Sequence, residues 1–297
     1  MNTRLAEPAA PPLAGYVAVI LAVVIWGGWI VATRLAMLER HAPLDIALLR
    51  YATPAILFAP YWMRKGIFPK GEKPLLLIIM TLGWGGPFVL LISKGMQSVE
   101  ASLFGPLVPG LLPMIVALWG YFAEGERIRR GRIVGLVFIA AAVALILVPA
   151  TVEGDSNLLA GAPWLLTACL GWSAFTIAFR KTGLSGIEAA AYVCLYSTPV
   201  LIVAALFLGT ELQTYPAREV AFQVAVQGFA SGAVSVACFG YAVKALGLAR
   251  ASAFTSLVPV MSALGGWLLL GEVVGAAGWA AAFAACLGVL LVNRYAR

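Results

Sequence analysis

The sequence has little charge. Asp, Glu, Lys and Arg make up 11% of its 297 residues, whereas a soluble domain carries about a quarter charged residues. Its single histidine is His41, and it contains no HExxH or GxxxxGK[ST] motif, so the groups that hydrolytic chemistry or ATP hydrolysis would need are missing. The composition therefore predicts a membrane protein that is not an enzyme and needs no cofactor.

Cysteine is also scarce. The chain has four cysteines, each inside an apolar stretch and none in CxxC spacing, so neither a disulfide framework nor a zinc site is indicated. We expect no metal, and we expect the thiols to be small packing residues at Cys169, Cys194, Cys238 and Cys286.

Long apolar runs dominate instead, because 62% of the residues are hydrophobic. A bilayer-spanning helix takes roughly 20 residues, and the runs lack the period-two alternation of a lipid-facing barrel. A stretch at 44–63 is equally long and is interrupted only by Arg50. The pattern predicts an all-α integral membrane protein with ten transmembrane helices. The nine charge-free runs are 15–33, 74–93, 101–123, 133–152, 156–179, 189–210, 220–243, 251–271 and 273–293.

Positive charge predicts the orientation, since Lys and Arg accumulate in cytoplasmic loops. With the N-terminus inside, 15 of the 20 cations, Arg4 and Arg297 among them, fall on the inner face. We expect a multi-pass protein of the bacterial inner (plasma) membrane with both termini cytoplasmic, as a monomer or homodimer. The basic pI of about 9.4 follows from this topology, so the expected partners are the lipid bilayer and a small-molecule substrate, with no nucleic acid.

The two halves of the chain resemble each other. Trp26 and Arg34 recur 146 residues later as Trp172 and Arg180. Each half holds five spans, an odd number, so the second half must enter the membrane inverted. We predict a first five-span repeat at 13–152 and a second, inverted one at 156–295, an architecture typical of secondary transporters. Further matches in the same order are YATP at 51–54 with YSTP at 196–199, LVP at 107–109 with LVP at 257–259, and Gly125-Glu126 with Gly271-Glu272.

These motifs resemble the EamA family of the drug/metabolite transporter (DMT) superfamily. The resemblance covers essentially the whole chain and is carried by the tryptophan and small residues of spans 1 and 6, the prolines of spans 4 and 9, and the Gly-Glu pair that closes each. It implies an exporter of small metabolites with a central cavity lined by spans 1, 3, 4, 6, 8 and 9. Within the family, the tryptophans near mid-membrane are most similar to those of the YddG-like amino acid exporters.

We therefore predict an alternating-access exporter of small metabolites, with amino acids, aromatic or other neutral ones, as substrates. The alternative is an exporter of hydrophobic drugs or cations of the same superfamily. All thirteen acids lie in loops, tails or terminal turns of the spans, which argues against proton coupling through a buried carboxylate at mid-membrane.

The candidate substrate contacts are aromatic and hydroxyl side chains near mid-span. Plain packing between helices is the alternative for the tryptophans. Pro109 and Pro259 interrupt spans 4 and 9 at equivalent depths, which favours gating over a static kink. The substrate-binding candidates are Trp26, Trp29, Thr33, Trp84, Ser102, Trp172, Thr176, Tyr241, Ser252 and Ser256.

Four charged or titratable residues complete the predictions. Arg50, a cation inside a span, either extends to the interface or holds an anionic group such as a substrate carboxylate. Glu126 and Glu272 precede spans 5 and 10, where a carboxylate favours a helix N-terminus, so we expect them to cap those helices. His41 is expected in an outer loop.

Overall fold

The computed structural model describes residues 13–295, and these residues form helices without any strand. Arg4 and Arg297, which the charge count assigned to the inner face, lie outside the described residues. Nine helical segments within the described range are long and apolar enough to cross a membrane. They correspond to the nine charge-free runs, so a multi-pass helical membrane protein is confirmed. The segments are Leu13–Leu38, Pro74–Gly95, Ala101–Ala123, Arg130–Glu153, Ser156–Phe179, Gly186–Leu208, Ala217–Leu246, Leu248–Leu270 and Ala276–Arg294.

Several of these segments consist of two helices. We number the α-helices in chain order and name the two π-helical stretches, Pro106–Gly110 and Val224–Val234, by their residues. The α-helices are α1 Leu13–Leu38, α2 Pro43–Leu57, α3 Ala59–Lys65, α4 Pro74–Trp84, α5 Gly86–Gly95, α6 Ala101–Gly105, α7 Leu112–Ala123, α8 Arg130–Glu153, α9 Ser156–Phe179, α10 Gly186–Leu208, α11 Ala217–Gln223, α12 Ser235–Leu246, α13 Leu248–Thr255, α14 Val258–Leu270 and α15 Ala276–Arg294.

The predicted tenth span, 44–63, folds as α2 and α3. Helical geometry breaks at Phe58, with φ −90° and ψ 4°. Pro54 lies inside α2 and a second proline opens α3, and a proline removes one helical hydrogen bond. Because α2 has only 15 residues, it is shorter than the roughly 20 a straight span requires. The ten-span topology therefore stays a prediction.

The remaining interruptions follow from glycine and proline. Gly85 separates α4 from α5 with extended backbone, φ −93° and ψ −149°. Pro109 lies inside the π-helical stretch Pro106–Gly110, and Pro259 stands in the first turn of α14. Pro109 thus lies in irregular backbone, and Pro259 closely follows the break between α13 and α14. In membrane helices such interruptions are tolerated where protein or a cavity surrounds them.

Glycine contacts fix how closely the helices cross. A Cβ added to Gly83 on α4 would lie 2.2 Å from the carbonyl oxygen of Gly171 on α9, and one added to Gly105 would lie 2.5 Å from the Cα of Pro259. Small residues permit such approach between membrane helices. They bring α1 against α12 and α14, and α9 against α4 and α5.

Candidate functional site

Arg50 lies at the centre of a buried aromatic cluster. The residue is only 6% exposed. Its guanidinium carbon is 5.7 Å from the ring centroid of Trp29 and 5.8 Å from those of Tyr51 and Trp84. The interpretation that Arg50 extends to the interface is therefore wrong, because its side chain points from α2 toward the neighbouring helices and contacts three rings.

The guanidinium of Arg50 makes fewer hydrogen bonds than its five N–H donors allow. Its Nη1 donates to the main-chain carbonyl of Gln227 at 3.2 Å, and its Nε is buried without a hydrogen-bond partner. Among residues 13–295 no carboxylate lies within ion-pair distance of it. Arginine stays charged in proteins, and each face-on ring supplies about 0.5 to 2 kcal/mol. The site therefore holds one net positive charge with an unused donor.

The Gln227 side chain links the first helix to the π-helical stretch Val224–Val234. Its Oε1 accepts from the indole nitrogen of Trp29 at 2.6 Å. Its Nε2 donates to the hydroxyl of Thr33 at 3.1 Å and to Oε1 of Gln223 at 3.2 Å. Gln227, Gln223 and Thr33 are each at most 1% exposed. A buried amide costs free energy unless it is bonded, so this network positions Trp29 beside Arg50.

Trp26, one helical turn before Trp29 in α1, also has its indole N–H hydrogen-bonded to the second half of the chain. Its indole nitrogen donates to the hydroxyl of Ser235 at 3.0 Å, and that hydroxyl donates to the carbonyl of Ser231 at 2.7 Å. The Trp26 ring lies 5.3 Å from the ring of Phe239. This contact joins α1 to α12, and Trp26 is partly exposed, so both packing and substrate contact stay open for it.

The other two tryptophan candidates, Trp84 and Trp172, extend the aromatic cluster around Arg50. Trp84 accepts a 2.6 Å bond from Tyr51 at its carbonyl, and its ring is 5.1 Å from that of Phe175. Trp172 lies 5.5 Å from Phe88, which in turn stacks 6.5 Å from Trp29. Ring contacts therefore connect Trp29 to Trp172 through Phe88, and Arg50 connects Trp29 to Trp84.

Among the described residues, the remaining candidates form no side-chain hydrogen bond with Arg50 or Gln227. Thr176 donates to the carbonyl of Trp172 at 2.9 Å within α9, and Tyr241 is 49% exposed. Ser256, directly after α13, donates to the carbonyl of Ala253 at the end of that helix, and the carbonyl of Ser252 accepts from Asn293. The structure thus joins Trp29, Thr33, Trp84 and Arg50 directly and leaves these four hydroxyl residues outside.

Some residues of the cluster were not among the candidates. Tyr51 contacts Arg50, and Gln223 extends the amide network, yet Tyr51 entered the sequence analysis only through the repeat motif. Gln223 and Gln227 are four residues apart in an apolar run, which places them on one helix face. That spacing is the signal that could have identified the pair.

Ser102 marks a second polar cluster, at the start of α6. The carboxylate of Glu272 accepts from the backbone nitrogens of Ala101 at 2.8 Å and Ser102 at 2.9 Å, and Glu272 lies 3.7 Å from Arg34 Nε. The expectation that Glu272 caps span 10 is wrong, because its carboxylate caps span 4 in the other half of the chain. Burial and the Glu272 charge raise the pKa of Glu100, whose carboxylate accepts from Ser102.

Glu126 does not cap span 5 either. Its carboxylate lies 3.3 Å from Arg180 Nη2 and 3.6 Å from Arg132 Nη1, and the residue that caps α8 is Arg129, without a side-chain bond. The Arg34–Glu272 pair is largely buried, with 12% and 7% of the side chains exposed, whereas Arg180 and Glu126 are 51% and 35% exposed.

A groove of about 570 Å³ lies between α4, α7 and α9. Its lining is mostly apolar, with Lys181 at one end, and none of the predicted substrate contacts lines it. Lys181 also forms an ion pair with Glu124 at 2.9 Å, which lowers the pKa of that carboxyl. The groove is therefore a surface distinct from the Arg50 cluster.

Comparisons with known proteins agree with this fold. A WAT1-related chloroplastic protein of Arabidopsis thaliana is 24% identical over 280 residues, or 90% of this chain, and the chain spans 66% of that relative's length, just under two thirds. A crystal structure of another protein is 17% identical with a TM-score of 0.58, over 94% of this chain and 96% of that one. At this identity the likeness concerns the fold alone.

The EamA-like transporter family model matches the chain twice, over residues 13–148 and 159–294. The two matches begin at residues 13 and 159 and so are separated by the same 146 residues that separate Trp26 from Trp172. Together they cover most of the chain, which therefore belongs to the EamA-like transporter family, whose membership points to a membrane transporter of small solutes and not to an enzyme.

Proposed function

We propose that the protein exports small zwitterionic metabolites, with neutral and aromatic amino acids as the substrate class. The observation that carries the proposal is the caged Arg50, a buried cation with no carboxylate partner among the described residues and an unpaired Nε. A carboxylate accepts paired bonds from guanidinium, and a cation inside a span usually faces a substrate or ion path. The α-carboxylate of an amino acid has that charge and size.

The surroundings of Arg50 suit the rest of such a substrate. The rings of Trp29, Trp84 and Trp172 offer apolar and aromatic surface to its side chain. Main-chain carbonyls of the π-helical stretch Val224–Val234 could accept from its ammonium group, as unwound backbone does for cations in other transporters. No buried carboxylate is then required to balance the ammonium.

Alternating access follows from the proposed inverted repeats, 13–152 and 156–295. Arg34 with Glu272 and Arg180 with Glu126 are counterparts at the 146-residue offset, and each pair takes one member from each half. In the proposed topology the first pair is at the outer ends of the spans and the second at the inner ends. The first pair is buried, and its Glu272 also caps the N-terminus of α6, whereas the second pair is half-exposed. We infer an outward side that is closed and an inward side that is open.

The same proposal includes ten spans, both termini in the cytoplasm and a bacterial inner membrane. In that topology the loop between α9 and α10 is inside, and the loop between α1 and α2 is outside. The Arg-rich segment from 127 to 132 then faces the cytoplasm, as the distribution of positive charge requires.

Transport in vesicles tests the substrate class. The purified chain is reconstituted into proteoliposomes and export of a labelled aromatic amino acid is measured against each of the twenty amino acids as competitor. Competition by neutral amino acids, and at least tenfold weaker competition by the corresponding amides, which lack the carboxylate, is expected. Equal competition by acid and amide would contradict the proposed contact between Arg50 and the carboxylate. If no amino acid competes, the proposed substrate class is wrong.

The alternative, export of hydrophobic drugs or cations, is favoured by a different observation. The groove between α4, α7 and α9 is largely apolar and about 570 Å³ in volume, which lies in the range of small-molecule sites. If lipophilic cations compete for transport while amino acids do not, and Leu170→Arg in the groove abolishes transport whereas Arg50→Lys does not, this alternative replaces the first.

A further inference from the structure

His41 is buried although it lies in a connection between helices. The residue is 3% exposed, and its ring stacks on that of Tyr215 with centroids 4.1 Å apart and planes at 9°. Its Nε2 is buried and has no hydrogen-bond partner. An orphaned imidazole nitrogen of this kind costs free energy unless a ligand or proton satisfies it.

Two carboxylates face that nitrogen. Oε2 of Glu219 lies 3.4 Å from Nε2 and Oε2 of Glu39 lies 3.6 Å from it, distances too long for hydrogen bonds of ordinary strength. One potential ligand atom from each of the three residues lies within 4.8 Å of the others. These separations resemble those between ligands around a tetrahedral cation with metal–ligand bonds of about 2.0 to 2.2 Å.

The backbone conformation after α1 fixes the positions of Glu39 and His41. Arg40, between them, adopts a left-handed conformation with φ 63°, and the amide of His41 donates to the carbonyl of Ala36 at 2.9 Å. This bond closes the end of α1 as a Schellman turn. Glu219 comes from the first turn of α11, in the other half of the chain.

The charge of the cluster favours a cation over an empty site. Within the described residues neither Glu39 nor Glu219 forms an ion pair with Lys or Arg, so two carboxylates approach the imidazole with no Lys or Arg to balance their charge. Imidazole and carboxylate together are ligands of borderline divalent cations. The side chains of Glu39 and Glu219 are 40% and 28% exposed, which leaves an entry path and room for water as a further ligand.

We propose that His41, Glu39 and Glu219 form a binding site for a borderline divalent cation such as Zn²⁺. The ion joins the end of α1 to the start of α11 and so connects the two halves of the chain at one edge of the bundle. The site does not depend on the transported substrate. We expected no metal from the sequence because its cysteines lack the spacing of a zinc site. The ligands proposed here form no short motif, since Glu219 lies 178 residues after His41.

Metal binding by the full chain in detergent tests the proposal. After chelation and dialysis, Zn²⁺ binding is measured by titration calorimetry and by metal analysis, for the native protein, His41→Ala, Glu219→Gln and Glu153→Gln. Glu153 is exposed at the end of α8, so the last variant removes an equal charge outside the cluster. We expect one ion per native chain, an affinity at least tenfold lower in the first two variants, because even outer-shell changes cost about 10- to 100-fold, and no change in Glu153→Gln.

A second measurement separates the metal from a protonated histidine. Zn²⁺ should raise the thermal unfolding midpoint of the native protein and of Glu153→Gln but not of His41→Ala, and the rise should grow from pH 6 to pH 8, because metal ligands bind deprotonated. A monodisperse elution profile shows that each variant is folded, and Glu39→Gln replaces any that is not. Equal Zn²⁺ binding by native protein and both cluster variants, or no binding by any, overturns the proposal. A thermal unfolding midpoint of the native protein that rises on acidification and does not change with Zn²⁺ also overturns the proposal.

Discussion

Arg50 donates a hydrogen bond of 3.2 Å to the main-chain carbonyl of Gln227, 177 residues further along the chain. The bond reaches a π-helical stretch, where side chains are offset from regular helical positions. π-helical turns occur frequently at functional sites. The contact thus couples the buried charge of the first half to irregular backbone of the second, and it brings together the cation and the carbonyls that the proposed substrate needs.

Replacing Arg50 should abolish selectivity for a carboxylate. We expect Arg50→Lys to lower amino acid export at least tenfold and to raise KM more than it lowers kcat, because lysine keeps the charge but lacks the planar paired donors. The measurement is export from proteoliposomes with an amino acid and its amide. Arg64→Ala, which removes an exposed cation of α3, serves as the control. Undiminished preference for the acid in Arg50→Lys would contradict the assignment.

Gln227 should matter for stability as well as for transport. Gln227→Leu leaves the indole N–H of Trp29 and the hydroxyl of Thr33 without their amide partner. A lost polar contact in a membrane bundle costs about 0.6 to 2 kcal/mol, so the unfolding midpoint in detergent should fall by several degrees. Gln213→Leu, in an exposed loop, should change the midpoint little. Equal midpoints for the two variants would show that the buried amide network contributes nothing.

The site was only partly predictable from the sequence. Apolar runs of about 20 residues specify helices in a bilayer, and the spacing of Trp29 and Thr33 places them on one helix face. The position of Arg50 in its apolar run indicates its depth in the membrane but not how α2 is rotated about its axis. Only the packing of α2 in the structure shows that Arg50 points toward Trp84. The partner of Glu272 was equally hidden, since the carboxylate reaches Ser102 across 170 residues of chain.

The Arg34–Glu272 contact predicts a gate that opens when it is weakened. Glu272→Gln keeps the size of the side chain but replaces one of the two oxygens that accept from Ala101 and Ser102 with a donor. It also removes the charge that Arg34 pairs with and that favours a helix N-terminus. In a protein carrying Ala101→Cys, at a position that is fully buried, we expect faster labelling by a membrane-impermeant maleimide applied from outside the cell. The signal is measured against the parent protein without the added cysteine.

The counterpart residue supplies the matched control. Glu126→Gln removes the same charge from the exposed pair with Arg180, at the opposite ends of the spans in the proposed topology. It should leave labelling of Ala101→Cys unchanged. If both glutamate variants increase the labelling equally, the effect comes from general loosening and the two pairs are not separate gates.

Glu100 should make the stability of the folded protein dependent on pH. Burial, followed by the charge of Glu272, raises its carboxyl pKa above the usual 4.5, so the folded protein holds this proton more tightly than the unfolded chain does. Stability therefore falls as the pH rises from 4.5 through the raised pKa, and acidification over that window restores it. Glu100→Gln should raise the unfolding midpoint at pH 7 and flatten its dependence on pH. A midpoint that falls in this variant would contradict the assigned direction.

The crossing of α4 and α9 should tolerate no added methyl group. A Cβ on Gly83 would lie 2.2 Å from the carbonyl oxygen of Gly171, whereas one on Gly28 of α1 would meet nothing within 4 Å. Overpacking costs about 1 to 3 kcal/mol, so Gly83→Ala should lower the unfolding midpoint and Gly28→Ala should not. Because this crossing also sets the 5.1 Å contact between Trp84 and Phe175, Gly83→Ala should reduce transport even at temperatures where it is folded. Full transport in that variant would show that the position of Trp84 and Phe175 does not affect transport. Arg50 would then remain a substrate contact, and Trp84 would not.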